Sequence, residues 1–312
     1  MTTLGSAAGI DSTPAAGRTP RSGRRHRPGG SWWPYFTPAL IVVLAVNGGP
    51  VIYALVLSFR DYNLARPQQD GWIGFGNYVE LLMNPAVQRS FGTTLFFVVV
   101  SVSLSLVFGM ILALLVNEIG WGKKIFRTLF FMPMLLAPAV IGVMWRFLLN
   151  DQAGPIAWLL KQIIPGISPL SDPTLALWSV TLVDVWSWTP FVFLVLLAGL
   201  ESQPQEPLEA AQVDGANAWQ TFLHVTLPGL VPLISIAVLF RVTWSFRAFD
   251  HIYTMTQGGP GNATEVLALT VYRNAFQNLD VSLASALSIL MFAIMLVFAI
   301  SVLRAQSKRE KR

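Results

Sequence analysis

The sequence predicts an all-α integral membrane protein with six transmembrane helices. Two observations of composition and one of pattern carry that reading. Hydrophobic residues make up 54% of the 312-residue chain and charged residues only 12%, about half the roughly 25% charge of an ordinary soluble domain. So few charges cannot wrap so apolar a core in water. Mean hydropathy is +0.56, and apolar residues gather in runs of about 18 or more, the length that marks a membrane span. A secreted disulfide scaffold, a disordered regulator and a typical cytosolic enzyme are thereby excluded. With no cysteine the chain has no disulfide framework, thiolate nucleophile or thiolate metal site. His26, His224 and His251 lie in separate segments, which argues against a histidine metal cage. The net charge of +5 concentrates at the two ends, as membrane topology requires, rather than forming a nucleic-acid surface.

Residues 1–31 are rich in Gly, Ser, Thr, Pro and Arg and hold almost no large apolar side chain. Such a basic tail cannot bury enough surface to fold and is expected to be disordered. The apolar run 33–59 is too long for a signal-peptide core and lacks a small-residue cleavage site. It reads as an uncleaved first span, with Pro34, Pro38 and Pro50 as turn or kink points. Further spans are expected at 91–116, 127–149, 175–200, 227–246 and 284–303, all within a transmembrane domain of residues 32–306. At about 1.5 Å rise per residue each crosses about 30 Å of hydrocarbon. Pro133 and Pro138 in span three and Pro190 in span four free backbone carbonyls and permit kinks, as in helices that line a cavity. A basic stretch, 307–312, closes the chain.

Six spans put both termini on one side, and positive charge decides which side. With the termini inside, the cytoplasmic segments hold Arg18, Arg21, Arg24, Arg25, Arg27, Lys123, Lys124, Arg127, Arg304, Lys308, Arg309, Lys311 and Arg312. The opposite side holds Arg60, Arg66, Arg89, Lys161, Arg247 and Arg273. The balance favours cytoplasmic termini.

The loop 201–226 between spans four and five is different. It carries Glu201, Glu206, Glu209 and Asp214 without a Lys or Arg. Pro204 and Pro207 suit a helix start, 208–213 continues it, and Asp214-Gly215 breaks it. A second short helix, 216–224, places Trp219, Phe222 and Leu223 on one stripe, before Pro228 introduces span five. Taken alone, this is a solvated helical hairpin displaying Glu209 and Asp214.

Glu209-Ala210-Ala211, three residues, Gly215, nine residues, Val225, one residue, Leu227-Pro228 resembles the EAA loop of permease subunits in binding-protein-dependent ABC importers. The departure is Val225, where isoleucine is commoner. The resemblance implies an importer-permease fold whose loop is a coupling helix seated in a cleft of a cytoplasmic ATPase, with Glu209 facing basic residues. Small Ala210 and Ala211 permit close approach, Gly215 permits the turn, and an acidic plug complements a basic socket. A second stretch, 244–276, is similar to carbohydrate-importer permeases of the maltose and glycerol-3-phosphate type through Phe249, Asp250, Ile252, Tyr253, Thr256, Gly258, Gly259, Pro260, Thr264 and Tyr272. It looks like the first of the two unlike permease subunits of such importers, and the resemblance covers 35–305. It implies a bacterial inner-membrane location, a second homologous permease, two ATPase subunits that use ATP and Mg, and an extracytoplasmic solute-binding protein. No cofactor on this chain is implied, and no Walker-type GxxxxGK[ST] loop is present.

Inside the spans, Asp184 and Arg241 are costly charges that face a bundle interior or watery cavity. Counted from the outer ends both fall in the outer half of the bilayer. Two roles fit: a structural ion pair locking spans four and five, or a lining of the solute path. Arg146 near the outer end of span three is expected to snorkel. Trp145, Trp186, Trp188, Trp244, Asp250 and Tyr253 lie near these charges in sequence. Aromatic faces and aimed polar groups suit sugars, although aromatics at span ends also form interfacial belts. A secondary transporter would show internal repeats with broken helices, and a membrane-embedded enzyme would need a catalytic set that Asp184 and Arg241 alone do not form. Within the importer reading, the competitor is a non-carbohydrate solute.

Overall fold

The computed structural model describes residues 33–119 and 122–310; the arginine tail and the final Lys311 and Arg312 lie outside the described residues. The chain forms two compact units divided after Gly48. The first contributes α1 (Trp33–Val43) and a π-helical turn, Leu44–Gly48. By length and hydropathy Phe36–Leu57 qualifies as a membrane span.

The second unit opens with α2 (Gly49–Leu57). A two-stranded antiparallel ribbon follows, β1 (Arg60–Asp61) and β2 (Gly71–Trp72), with Arg60 opposite Trp72 and Asp61 opposite Gly71. Next come α3 (Gly76–Met83) and the long α4 (Pro85–Glu118). Helix α4 starts six residues before the expected 91 because Asn84 caps it, its side chain accepting from the Ala86 N–H at 2.9 Å with Pro85 in the first turn. Hydropathy marks where lipid begins, whereas a cap marks where the helix begins. Likewise α8 (Pro173–Ser202) starts at the Asp172 cap, which accepts from Thr174 and Leu175 at 2.9 Å, and α14 (Val281–Glu310) overruns both bounds of the expected 284–303.

Span three departs most from expectation. In place of a single kinked span over 127–149 stand α5 (Lys123–Phe131) with a 3₁₀ turn to Leu135, and α6 (Pro138–Leu148), bent by 91°. Proline pushes its predecessor out of the helical region, and Ala137 is extended at φ −62, ψ 135. A short α7 (Pro155–Ile163) leads on to α8. Among the described residues five helices are long and apolar enough to span, or six if the bent pair is one span.

The helix α9 (Glu206–Val213), in the loop between spans four and five, has nearly its expected bounds, but the second loop helix is not separate from span five. Helix α10 (Ala218–Thr221), a π turn Phe222–Thr226 and α11 (Leu227–Phe246) run as one 29-residue helix. Pro228 does not interrupt it, because the π turn just before it shifts the hydrogen-bond ladder, with Leu227 N–H donating to Phe222 O. Three elements complete the unit: α12 (Asp250–Thr256), α13 (Leu267–Tyr272) and α14.

Helix α8 is the central post. Small buried residues Ser101, Ser105, Gly109 and Ala113 recur every four positions along α4, the pattern that lets membrane helices approach closely. A Cβ on Gly109 would lie 2.7 Å from Val192 of α8. Across α8, Gly199 meets α11 in the same way, 2.7 Å from Leu230.

Candidate functional site

Two regions carry chemistry. At one end of the bundle, α9 holds Glu206 and Glu209 exposed in its first turn, and Asp214 follows exposed at its C-cap. Gly215 turns the chain at φ +77 with no neighbour near its Cα side, a conformation that favours glycine. Asn217 and Gln220 then form a reciprocal capping box at 2.9 Å, which starts α10. Ala210 is exposed, Ala211 and Leu227 are half-buried, and Pro228 is exposed. Val213 and Trp219, at 87% and 66% exposure, give the acidic surface two apolar knobs. Glu201 behaves otherwise: it bonds Arg127 and lies 3.7 Å from Lys123. Its charge is answered within the chain, so three acids rather than four face outward.

The second region lies between α4, α8, α11 and α12. Arg241 donates through Nη2 to Asp184 Oδ2 at 2.7 Å and to Ser105 Oγ at 3.2 Å. Arg241 is 0% and Asp184 1% exposed. Arg241 Nε and Nη1 make no hydrogen bond among the described residues. His251 brings Nε2 to 3.8 Å from the other carboxylate oxygen. Above the guanidinium lies Trp188, its ring centroid 5.9 Å from Cζ, and Trp188 stacks on Trp244 at 4.4 Å and 29°. A cavity of about 280 Å³ opens beside them, lined by Asp184, Trp188, Trp244, Asp250 and His251 with Pro138 and Arg247 on its rim.

Over residues 105–312 the chain matches the family described as the binding-protein-dependent transport system inner membrane component. It belongs to that family. A probable ABC transporter permease of Sinorhizobium fredii, y4oQ, is 39% identical over 81% of this chain and 83% of its own length. The trehalose transport system permease SugA of Mycobacterium tuberculosis is 37% identical over 84% of each chain. The trehalose/maltose transport system permease MalF of Thermococcus litoralis is 35% identical over 86% of this chain and 90% of its own. In fold, the permease resembles a subunit of a bacterial ABC transporter that imports the acidic polysaccharide alginate, with a TM-score of 0.76 at 24% identity, over 90% of this chain and 96% of that one.

The permease is thus a multi-pass membrane protein and a non-catalytic transport subunit. Its broken third helix, a feature first associated with secondary transporters, is here a property of an ABC permease. Asp184, Trp188, Trp244 and Asp250 meet at one cavity, with Arg241 buried behind them. Trp186 does not join them: it is 37% exposed, packs on Trp145 at 5.5 Å, and lines a separate apolar hollow of about 540 Å³. Tyr253 also turns away, stacking on Phe249 at 5.2 Å and meeting Tyr272 at 5.3 Å. Arg146 donates to Thr254 O at 3.4 Å. Sequence reasoning missed His251 at the site, because histidine was weighed only as a metal ligand; its place beside Asp250 in the second matched stretch was the available signal.

Proposed function

We propose that this permease forms half of the solute path of an ATP-driven importer for a sugar, with trehalose- or maltose-like oligosaccharides as the substrate class. The stacked pair Trp188 and Trp244 carries the reading: flat aromatic faces beside the carboxylates of Asp184 and Asp250 and the imidazole of His251 match C–H faces and hydroxyls. The cavity of about 280 Å³ sits at the lower edge of the about 300–1,000 Å³ typical of ligand sites, as expected if a second, homologous permease supplies the other wall. The names of the trehalose and maltose relatives support the class.

On this reading an extracytoplasmic binding protein delivers the solute, and two ATPase subunits bind and hydrolyse ATP with Mg. Glu209, Ala210, Ala211, Asp214 and Gly215, with Leu227 and Pro228 at the start of span five, dock into them. One continuous helix from α10 through α11 then transmits ATPase movement to Arg241 and Trp244 without a hinge.

The bent pair supports six crossings and two cytoplasmic termini. The Lys123 end of α5 meets Glu201 at the end of α8, whereas α6 packs on α12 beyond the opposite end of α11: a Cβ on Gly142 would lie 2.8 Å from His251 O. The pair therefore runs from one end of the bundle to the other despite its bend.

Uptake by the reconstituted importer tests the reading. Wild type is expected to take up a labelled trehalose or maltose in an ATP-dependent way, and Trp188→Ala and Trp244→Ala to lose most of it while remaining inserted. Undiminished sugar uptake by both variants would remove the site, and exclusive uptake of a non-carbohydrate solute would remove the class.

A further inference from the structure

Helix α3 inverts the arrangement usual in water. Its polar Asn77 is buried, with Nδ2 donating to Ser58 O at 2.9 Å and to Arg60 O at 2.8 Å. Leu81 is buried in the core at 1% exposure, but Phe75 at the N-cap and Val79, Leu82 and Met83 point out, at 71%, 50%, 64% and 74% exposure. Their spacing puts them on one helical face. Trp72, on the adjoining ribbon, is 69% exposed and extends the patch. A contiguous exposed apolar patch of this kind marks a contact surface.

Its position identifies the occupant. Asn77 and Tyr78 fasten the start of α3 to Ser58, one residue beyond α2, with Tyr78 Oη 2.7 Å from Ser58 Oγ. Its end abuts Asn84, the cap of α4. An eight-residue helix is about 12 Å long. Both ends of α3 are thus held by the termini of two spans at one end of the bundle. Beyond exposed Gln88 and Arg89, an apolar exposed face resumes on α4 at Phe91, Leu95 and Val99 and faces outward within a span. The five side chains of the patch carry no charge and only the indole of Trp72 can hydrogen-bond, a residue suited to the headgroup level; exposed Glu80 borders them. A soluble binding protein that must dock and leave through water would meet a polar rim.

We propose that Trp72–Met83 is a monotopic foot embedded at the boundary between headgroups and acyl chains, with phospholipid as its partner. The foot steadies the ends of spans one and six against the moving spans three to five. The same inter-span segment is tied to the start of α14, with Tyr62 N–H donating to Ser282 Oγ at 2.6 Å and Leu64 N–H to Leu279 O at 2.8 Å. Unlike the cavity, this surface takes lipid rather than solute, and it does not depend on which solute is carried.

The absence of native cysteine makes the test direct. Spin labels on Phe75→Cys, Val79→Cys, Leu82→Cys and Met83→Cys are placed in the full chain, purified with its bound subunits and reconstituted in phosphatidylethanolamine/phosphatidylglycerol vesicles. Oxygen is expected to relax all four labels more than a water-soluble nickel chelate does, while Glu80→Cys shows the reverse. Nickel dominance at all four, or labels immobilised and shielded from both reagents as under a protein partner, overturns the proposal. Brominated-lipid quenching checks it without labels: Trp72→Phe should remove one of the quenched fluorophores among the eleven tryptophans. Quenching identical to wild type would overturn it too.

Discussion

Replacing Asp184 by leucine strands a guanidinium in the middle of the bundle. Arg241 is fully buried, its bond to Asp184 is 2.7 Å long, and two of its nitrogens have no hydrogen-bond partner among the described residues. Removing one partner of a buried pair costs about 3–5 kcal/mol; a Coulomb term of about 4 kcal/mol at 4 Å and an effective dielectric near 20 agrees. Arginine cannot shed its proton to escape, so the loss falls fully on the fold. Arg241→Met is expected to be milder, because the Asp184 carboxylate still has His251 at 3.8 Å. In Asp184→Leu/Arg241→Met no charge remains to strand, and stability should return close to wild type. The assay is thermal unfolding of the purified protein in lipid nanodiscs, where Asp184→Leu should lower the midpoint by on the order of 10 °C. A double variant as unstable as Asp184→Leu, or an Asp184→Leu melt equal to wild type, would falsify the reasoning.

Other residues yield sharper contrasts than the pair. Gly142→Ala should destabilise by about 1–3 kcal/mol, as overpacking does, because its Cβ would sit 2.8 Å from His251 O and 2.9 Å from His251 Cα; an unchanged melting curve would show that α6 and α12 are free to separate. Glu209→Lys and Gly215→Pro should abolish ATP-dependent uptake while the protein still inserts, whereas Glu201→Gln, which breaks a part-exposed pair with Arg127 of a kind worth about 0–1 kcal/mol, should leave uptake near normal. Equal effects of Glu201→Gln and Glu209→Lys would refute the division of acids. Burial raises the Glu265 carboxyl above its ordinary range, opposed by Arg273 at 3.0 Å and by Thr270. A raised folded-state value means that the fold binds this proton more readily than the unfolded chain. The Glu265 contribution to stability should therefore grow as pH falls through that raised range and level off below the usual carboxylate value of about 4.3. Melting curves against pH for wild type and Glu265→Gln should converge in no other direction.

Much of this was legible in the chain because it is written in local chemistry. Apolar runs locate the spans, and the spacing Glu209-Ala210-Ala211 to Gly215 marks the loop whose turn does adopt φ +77. Caps were readable in principle, since Asn84-Pro85 and Asp172-Pro173 are ordinary helix starts, but hydropathy averages over them and placed α4 and α8 too short. The fusion of α10 with α11 was hidden by Pro228, because a proline signals a break unless a neighbouring π turn rearranges the hydrogen bonds. Pro133 and Pro138 announced a kink but not its size.

What the sequence determined by itself is membrane residence and the place of the loop that carries Glu209-Ala210-Ala211 and Gly215, for hydropathy, net charge and a fixed-spacing motif are sums over neighbours in the chain. Only the tertiary structure decided which charges meet. Asp184, Arg241 and His251 come from three different helices and converge because α11 and α12 pack beside α8, α11 closely at Gly199. Glu201 left the acidic loop because Lys123 and Arg127 fold back onto it. Pairing of charges depends on distances across the bundle, and those distances are set by packing rather than by position along the chain.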